Sequence, residues 1–182
     1  MQLKNRKICE KEKVLQIESL LGQYGTELKR LSFLYVKDHT LAEDVLQEVF
    51  IACYQNLASF REESSYKTWL IRITINKCKD ILKKWSFRHI FTRPIMEGEL
   101  TSNNTPENQS VQKMEKDILA KSILQLPLKF REVIILFYYE ELSVEEISSI
   151  LQINKNTVKS RLKRSREKLK MLLQGWEEEW RS

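Results

Sequence analysis

The sequence predicts an all-α fold of two small helical domains joined by a flexible linker. Three observations carry that expectation. Across 182 residues there are only four Gly and three Pro, too few punctuators for a turn-rich β-fold. Apolar residues recur at three- and four-residue spacing through most of the chain. The only cluster of breakers is TRPIMEGELTSNNTPENQS at 92–110, with Pro94, Gly98 and Pro106 amid Ser, Thr and Asn. The expected organisation is a first domain over 10–90, a linker over 91–111 and a second domain over 112–176. A hydrophobic content of 42% suffices for two cores.

The first domain opens with a helix expected from about Glu12 to Val36, with Gly22 and Gly25 as its weak points. HTLAEDVLQEVFIACYQNLASF follows. Thr40 and Glu43 have the spacing of a capping box, in which hydroxyl and carboxylate each satisfy a free amide of the first turn. Leu46, Val49, Phe50, Cys53 and Leu57 form the expected buried stripe, which leaves Glu43, Asp44, Gln47 and Glu48 as an acidic outer face. The loop FREESSYK (60–67) leads into TWLIRITINKCKDILKKW. There Ile71, Ile75, Cys78 and Leu82 make a core face, while Trp69, Arg72, Asn76, Lys79 and Lys83 share a second one. Cations suit phosphates, an amide suits a base edge and a ring suits stacking. The same residues also describe a solvated basic face beside a core Trp, and periodicity alone leaves both readings open.

The second domain contains QLPLKFREVIILFYYEEL, where Pro127 suits a first helical turn. LSVEEISSILQINKNTVKSRLKRSREKLKMLL comes next. Ser143 and Glu146 make a capping box for a short helix that turns Ile147, Ile150 and Leu151 inward. Gln152, Ile153 and Asn154 form a turn, and Asn154 caps a second helix whose Val158, Leu162, Leu169, Leu172 and Leu173 face the core. This is the helix-turn-helix plan, in which the second helix enters the major groove by its N-terminal end. Lys155, Asn156, Lys159, Ser160 and Lys163 then point outward, where Lys suits guanine and Asn adenine. Arg161, Arg164, Arg166 and Lys168 flank that strip, placed for phosphates.

A formal net charge of +6 favours an anionic partner. Cys9, Cys53 and Cys78 are widely spaced without a CxxC pair, and His39 and His89 are far apart, so neither a metal nor a disulfide site is expected. VIILFYY (133–139) is far shorter than the roughly 20 residues that cross a bilayer. The charged start MQLKNRKICEKEK has no apolar signal core, so a soluble intracellular protein is expected. No spacing of carboxylates, His or Cys supports a catalytic centre. Adjacent acids such as Glu62/Glu63 and Glu177/Glu178/Glu179 read as solvated charge.

Taken together, LAEDVLQEVFIACYQNLASFR, YKTWLIRITINKCKDILKK and LPLKFREVIILFYYEELSVEEISSILQINKNTVKSRLKRSREKL resemble the extracytoplasmic-function (ECF) group of bacterial RNA polymerase sigma factors, of the sigma-70 family. The resemblance runs in order from about residue 20 to 173. It implies that the first domain is sigma domain 2, which binds the β′ clamp helices of core RNA polymerase and captures −10 bases as the duplex opens. The second is sigma domain 4, which binds the −35 element and the β flap. Carried onto this sequence, the clamp contact falls on Asp44, Gln47 and Glu48. The −10 contacts fall on Arg61, Ser65, Lys67, Trp69, Arg72, Asn76 and Lys79, with Asn76 the most direct match to a base-contacting position. The −35 contacts fall on Lys155, Asn156, Thr157, Lys159, Ser160, Lys163 and Arg164. Position 163 departs from the family pattern, being Lys where relatives often carry an aromatic residue or His. The resemblance further implies promoter DNA and an anti-sigma factor, often membrane-bound, as partners, a cytoplasmic location, and no cofactor, catalytic residue or small-molecule substrate.

Two other classes compete. A stand-alone helix-turn-helix transcriptional regulator would carry a sensing or receiver domain of alternating strands and helices, or a dimer interface, where this chain has an all-helical block. An enzyme acting on nucleic acid would need a metal or general-base cluster.

Overall fold

The structure, a computed structural model, describes residues 10–60, 64–88 and 111–181, with side chains over 10–60, 64–84 and 117–174. Among them there are helices and no strand. The chain divides into two compact units, Met1–Met96 and Glu97–Ser182.

In the first unit α1 (Glu10–Val36), α2 (His39–Asn56) and α3 (Tyr66–Arg88) pack pairwise on one another. α1 runs unbroken through Gly22 and Gly25, the expected weak points. Helical glycine costs roughly 1 kcal/mol, whereas full burial of one Leu or Ile returns about 1.5–3 kcal/mol. Leu20, Leu28, Leu31 and Tyr35 of α1 are all buried. Tertiary packing therefore overrides the local preference. Lys37, at φ 60°, ends α1 in the left-handed conformation, and its N–H bonds the Phe33 carbonyl at 2.8 Å.

The start of α2 differs from expectation. Asp38 is the cap: its Oδ1 accepts from the Leu41 N–H at 2.9 Å, and His39 already lies in the helix. Thr40 therefore sits inside the first turn, and Glu43 pairs with Lys29 of α1 at 2.6 Å instead of reaching back. The buried stripe is Ala42, Val45, Val49 and Cys53, with Leu57 beyond it, while Leu46 and Phe50 are only half-buried. Ala42 and Val45 are smaller than Leu46 and Phe50, and smaller side chains let α2 approach its neighbours more closely.

α3 buries Ile71, Ile75 and Cys78 as expected, with Leu70 beside them and Leu82 half-buried. Two hydroxyls share this core without strain, because Ser32 and Thr74 each donate to the carbonyl four residues back, both at 2.8 Å. Burial pushes the Cys53 and Cys78 thiols up to about 12, so both stay neutral in this core.

The second unit contains α4 (Val111–Gln125), α5 (Leu128–Ile134), α6 (Val144–Leu151) and α7 (Lys155–Arg181), and α7 packs on each of the other three. Pro127 stands at the N-cap of α5 and needs no donor there. α5 continues into a π-helical turn over Ile135–Tyr139, with Ile135 and Leu136 fully buried. Of the stretch expected as linker, 91–110 lies outside the described residues, and Val111 opens α4.

Candidate nucleic-acid interface

The N-terminal half of α7 is placed by two caps and a turn. At α6 the Ser143 hydroxyl accepts from the Glu146 N–H at 3.2 Å, and the Ser143 N–H donates to Glu146 Oε2 at 2.9 Å, the reciprocal box that the spacing predicts. Gln152 then turns the chain in the left-handed region, φ 56° and ψ 44°, and Ser148 Oγ donates to the Ile153 carbonyl at 2.6 Å. Asn154 Oδ1 accepts from the Thr157 N–H at 2.7 Å and from the Thr157 hydroxyl at 2.8 Å, which opens α7. With the entry fixed, Val158 and Leu162 are buried and Leu169, Leu172 and Leu173 half-buried.

Lys155, Asn156, Lys159, Ser160, Lys163 and Arg164 are exposed on this helix. Their roles are unequal. Lys155 forms a 2.8 Å ion pair with Glu145 of α6, which holds that carboxyl below its usual range. The Thr157 hydroxyl is spent on the cap, and its side chain is half-buried. The Ser160 hydroxyl donates to the Thr157 carbonyl at 3.0 Å, so what it offers outward is acceptor capacity.

Arg161 departs from its expected place among phosphate contacts. Its Nη1 donates to Glu132 Oε1 of α5 at 2.9 Å, and the two side chains are 25% and 7% exposed. Arg161 lies three residues past Val158 and four before Ser165, both fully buried, so it borders the buried arc of the helix. Arg166 and Lys168 are exposed, as expected.

In the first unit, α3 presents Trp69, Arg72, Asn76, Lys79 and Lys83 along one face, with Asn76 and Lys83 exposed and the others half-buried. The base of that face is an aromatic cluster that periodicity did not disclose. Phe60 stacks on Tyr66 with centroids 4.5 Å apart and lies 5.0 Å from Trp69, so rings close the two ends of the intervening loop. Gln16 of α1 donates to the Tyr66 hydroxyl at 2.6 Å. The only advance signal was the presence of aromatics on both sides of REESS. Ser65 caps α3, its Oγ accepting from the Thr68 N–H at 3.1 Å, and Lys67 pairs with Glu27 at 2.6 Å. Both therefore already serve the fold. Arg61 lies outside the described residues.

On α2, Asp44, Gln47 and Glu48 are exposed and line a shallow groove with Ile51, Lys77, Asp80, Ile81 and Lys84. Lys77 hydrogen-bonds Glu48 and holds its carboxyl below the usual range. The face expected to be acidic is thus mixed in charge, and Ile51 is exposed among its polar residues. Among the described residues no group of three or more His, Cys, Asp or Glu is placed to hold a metal, and no helix is long and apolar enough to cross a membrane.

Comparison with known proteins gives a consistent result. Residues 20–87 match the family described as Sigma-70 region 2, and residues 116–169 match Sigma-70, region 4. The chain is 33% identical to the ECF RNA polymerase sigma factor SigW of Bacillus subtilis, with 82% of this chain and 84% of that one covered. It is 34% identical to the ECF RNA polymerase sigma-E factor of Escherichia coli, with 81% of each covered. In fold it is similar to the sigma factor RpoE solved in complex with the anti-sigma factor NepR from Bartonella quintana, at TM-score 0.71 and 22% identity, over 87% of this chain and 97% of that one. CnrH, solved in complex with the cytosolic domain of CnrY, matches at TM-score 0.62 and 24% identity, over 87% and 88%.

Proposed function

The chain belongs to the ECF group of the sigma-70 family of RNA polymerase sigma factors, and from that premise we propose how its two units share the work at a promoter. As a sigma factor it binds core RNA polymerase and promoter DNA, directs transcription initiation and is not itself an enzyme. The proposed division is residues 10–90 for core and −10 binding, 91–111 as connector and 112–176 for −35 binding. The observation that carries it is the order of the two family matches together with the exposed polar strip of α7.

In this reading α7 lies in the −35 major groove. Asn156, Lys159, Ser160 and Lys163 face base edges, Arg164 stands beside them, and Lys155 and Thr157 support the entry. Asn76, Arg72 and Lys79 of α3 meet the −10 strand, with Trp69 as a stacking surface above the ring cluster. Arg61 and Ser65 contribute from the preceding loop and Lys67 from the first turn of α3. The groove at Asp44, Gln47 and Glu48 receives the β′ clamp helices, its exposed Ile51 adding apolar area among polar residues.

Each surface is small, so each contact alone is weak. Binding to core makes the second DNA contact intramolecular and raises avidity without new contacts. Opening the −10 element takes a few kcal/mol per unstacked base, which base capture offsets. The protein works in the cytoplasm. It is held by an anti-sigma factor until released, a reading supported by the similar sigma factor RpoE, solved in complex with the anti-sigma factor NepR.

Run-off transcription with bacterial core enzyme on fragments of the source genome tests this. The expected result is a discrete transcript from promoters sharing −35 and −10 elements. Absence of any transcript would overturn it. A stand-alone regulator would instead footprint a palindrome without core, and the region 2 match over residues 20–87 disfavours it.

A further inference from the structure

We infer that Arg161 is a positioning residue for −35 reading, its ion pair with Glu132 setting the rotation of α7 about its own axis. This rests on the reading of the second unit as the −35 binder. α5 is only seven residues long, yet Phe130, Arg131, Glu132, Val133 and Ile134 are all buried. Its polar groups reach in two directions. Arg131 Nη1 donates to the Leu124 carbonyl of α4 at 3.0 Å, which ties α5 to the helix before it. Glu132 accepts from Arg161 at 2.9 Å, which ties α5 to α7. The single Ser165 proton is shared between the Phe130 carbonyl at 3.0 Å and the Arg161 carbonyl of its own helix at 2.5 Å, so it is the weaker tie. Arg161 and Ser165 are four residues apart, so both bonds lie along one edge of α7.

Val158 and Leu162 bury the adjoining face, and their packing resists a large roll of the helix. Apolar contact has no preferred direction of its own, so it sets the last few degrees less sharply. A guanidinium–carboxylate bond is directional. A roll of only about 5–10° would carry a side-chain tip about 6 Å from the axis through about 0.5–1 Å. Productive contacts are held within about 0.5 Å. Lys159, Ser160 and Lys163 lie within two residues of Arg161 and move with it. A largely desolvated ion pair is also seldom the most stabilising filling for such a site, since an apolar pair of similar volume does as well. Its directional bond is what an apolar pair lacks.

The test uses the full chain with core polymerase on promoters carrying single −35 substitutions, over a range of salt. Wild type should prefer its best −35 element to single mismatches by about 5- to 150-fold. Arg161→Ala should compress that preference to within about threefold, with the slope of log affinity against log salt unchanged. Because Arg161→Ala removes the Arg161 bond from a buried Glu132 and can unfold the unit, Glu132→Leu with Arg161→Met supplies a folded chain lacking the directional bond. It should show the same compression. Glu132→Arg with Arg161→Glu should restore part of the preference. A salt slope lower by about one would mean that Arg161 touches phosphate, and full selectivity in the folded Leu/Met chain would mean that the pair only packs. Either overturns the inference while leaving the sigma assignment intact. A wild-type chain with no promoter selectivity overturns both.

Discussion

Glu48 of α2 accepts a 3.0 Å hydrogen bond from Lys77 of α3, across the groove proposed to receive the polymerase clamp. The carboxylate is therefore already partly neutralised by its own protein, and Asp44 is left to carry more of the outward charge. Asp44→Lys with Glu48→Lys should lower affinity for core by about tenfold or more, since reversing two exposed charges at an interface removes its electrostatic complementarity. Helix content should hold, because exposed pairs contribute little to folding. Lys77→Ala should leave core affinity equal or raise it. A pull-down in which the double reversal binds core like wild type would remove the assignment.

On α7 the outward residues should separate into readers and clamps. Lys159→Ala and Ser160→Ala should change which −35 sequences work, and the Ser160 effect should be largest where a base offers a donor, because its own proton is held by the Thr157 carbonyl. Arg166→Ala should weaken all promoters alike and reduce the salt slope by about one. Affinity measured over a −35 panel at several salt concentrations checks both. Equal losses on every sequence from all three variants would mean no base reading here.

The cap of α2 gives a stability prediction with a built-in control. Asp38 accepts from the Leu41 N–H, while Thr40 lies within the first turn. Asp38→Ala should destabilise the first unit by about 1 kcal/mol, the usual worth of a cap. Thr40→Ala should change little. Hydrogen exchange of the first-turn amides of α2 reads the effect locally, and the reverse ranking would restore the box that the sequence suggested.

What the sequence disclosed and what it hid follow a physical line. Local signals were legible: the Ser143–Glu146 box, the Asn154 cap and the inward Val158 and Leu162 all depend on neighbours within a few residues. The misplacements needed partners from elsewhere in the chain. Thr40 and Glu43 have box spacing, but Lys29 of α1 draws Glu43 away. The α2 stripe moved toward Ala42 and Val45 because closeness of packing, which periodicity does not weigh, selects the smaller side chains. Arg161 read as one more cation in a basic run, and only Glu132, 29 residues earlier, distinguishes it.

The two core thiols predict a pH dependence. Burial raises Cys53 and Cys78 from 9.0 to about 12, with the Ser32 hydroxyl partly opposing the rise at Cys78. A raised folded-state pKa means the native state holds its proton longer. The stabilisation is therefore fully present below about pH 9 and is lost as pH rises toward 12. With Cys9, which lies outside the described residues, changed to Ser, native protein at pH 8 should resist iodoacetamide at both remaining thiols. Stability should fall more steeply above pH 9 than in Cys53→Ala/Cys78→Ala. Rapid alkylation of the native chain at neutral pH would contradict the burial.

Gln152 makes the turn before α7 at φ 56°, a conformation that costs an L-residue roughly 1–2 kcal/mol. Its side chain recovers part of this through a 2.6 Å bond from Nε2 to the Ser149 carbonyl, but that bond is exposed to water and contributes little. Gln152→Gly removes the steric cost and adds about 0.4–1 kcal/mol of unfolded-state entropy against folding. The net expectation is a second unit more stable by about 0.5–1 kcal/mol. Hydrogen exchange of core amides in α6 and α7 is the suitable measurement, since a chain of two compact units need not unfold in one step. Selectivity for −35 sequences should be retained, because the turn keeps its shape and the entry to α7 is still held by Asn154. Slower exchange with intact selectivity is the predicted pair of results. Faster exchange would mean that the Gln152 side chain, rather than the backbone conformation alone, holds the two helices at their angle.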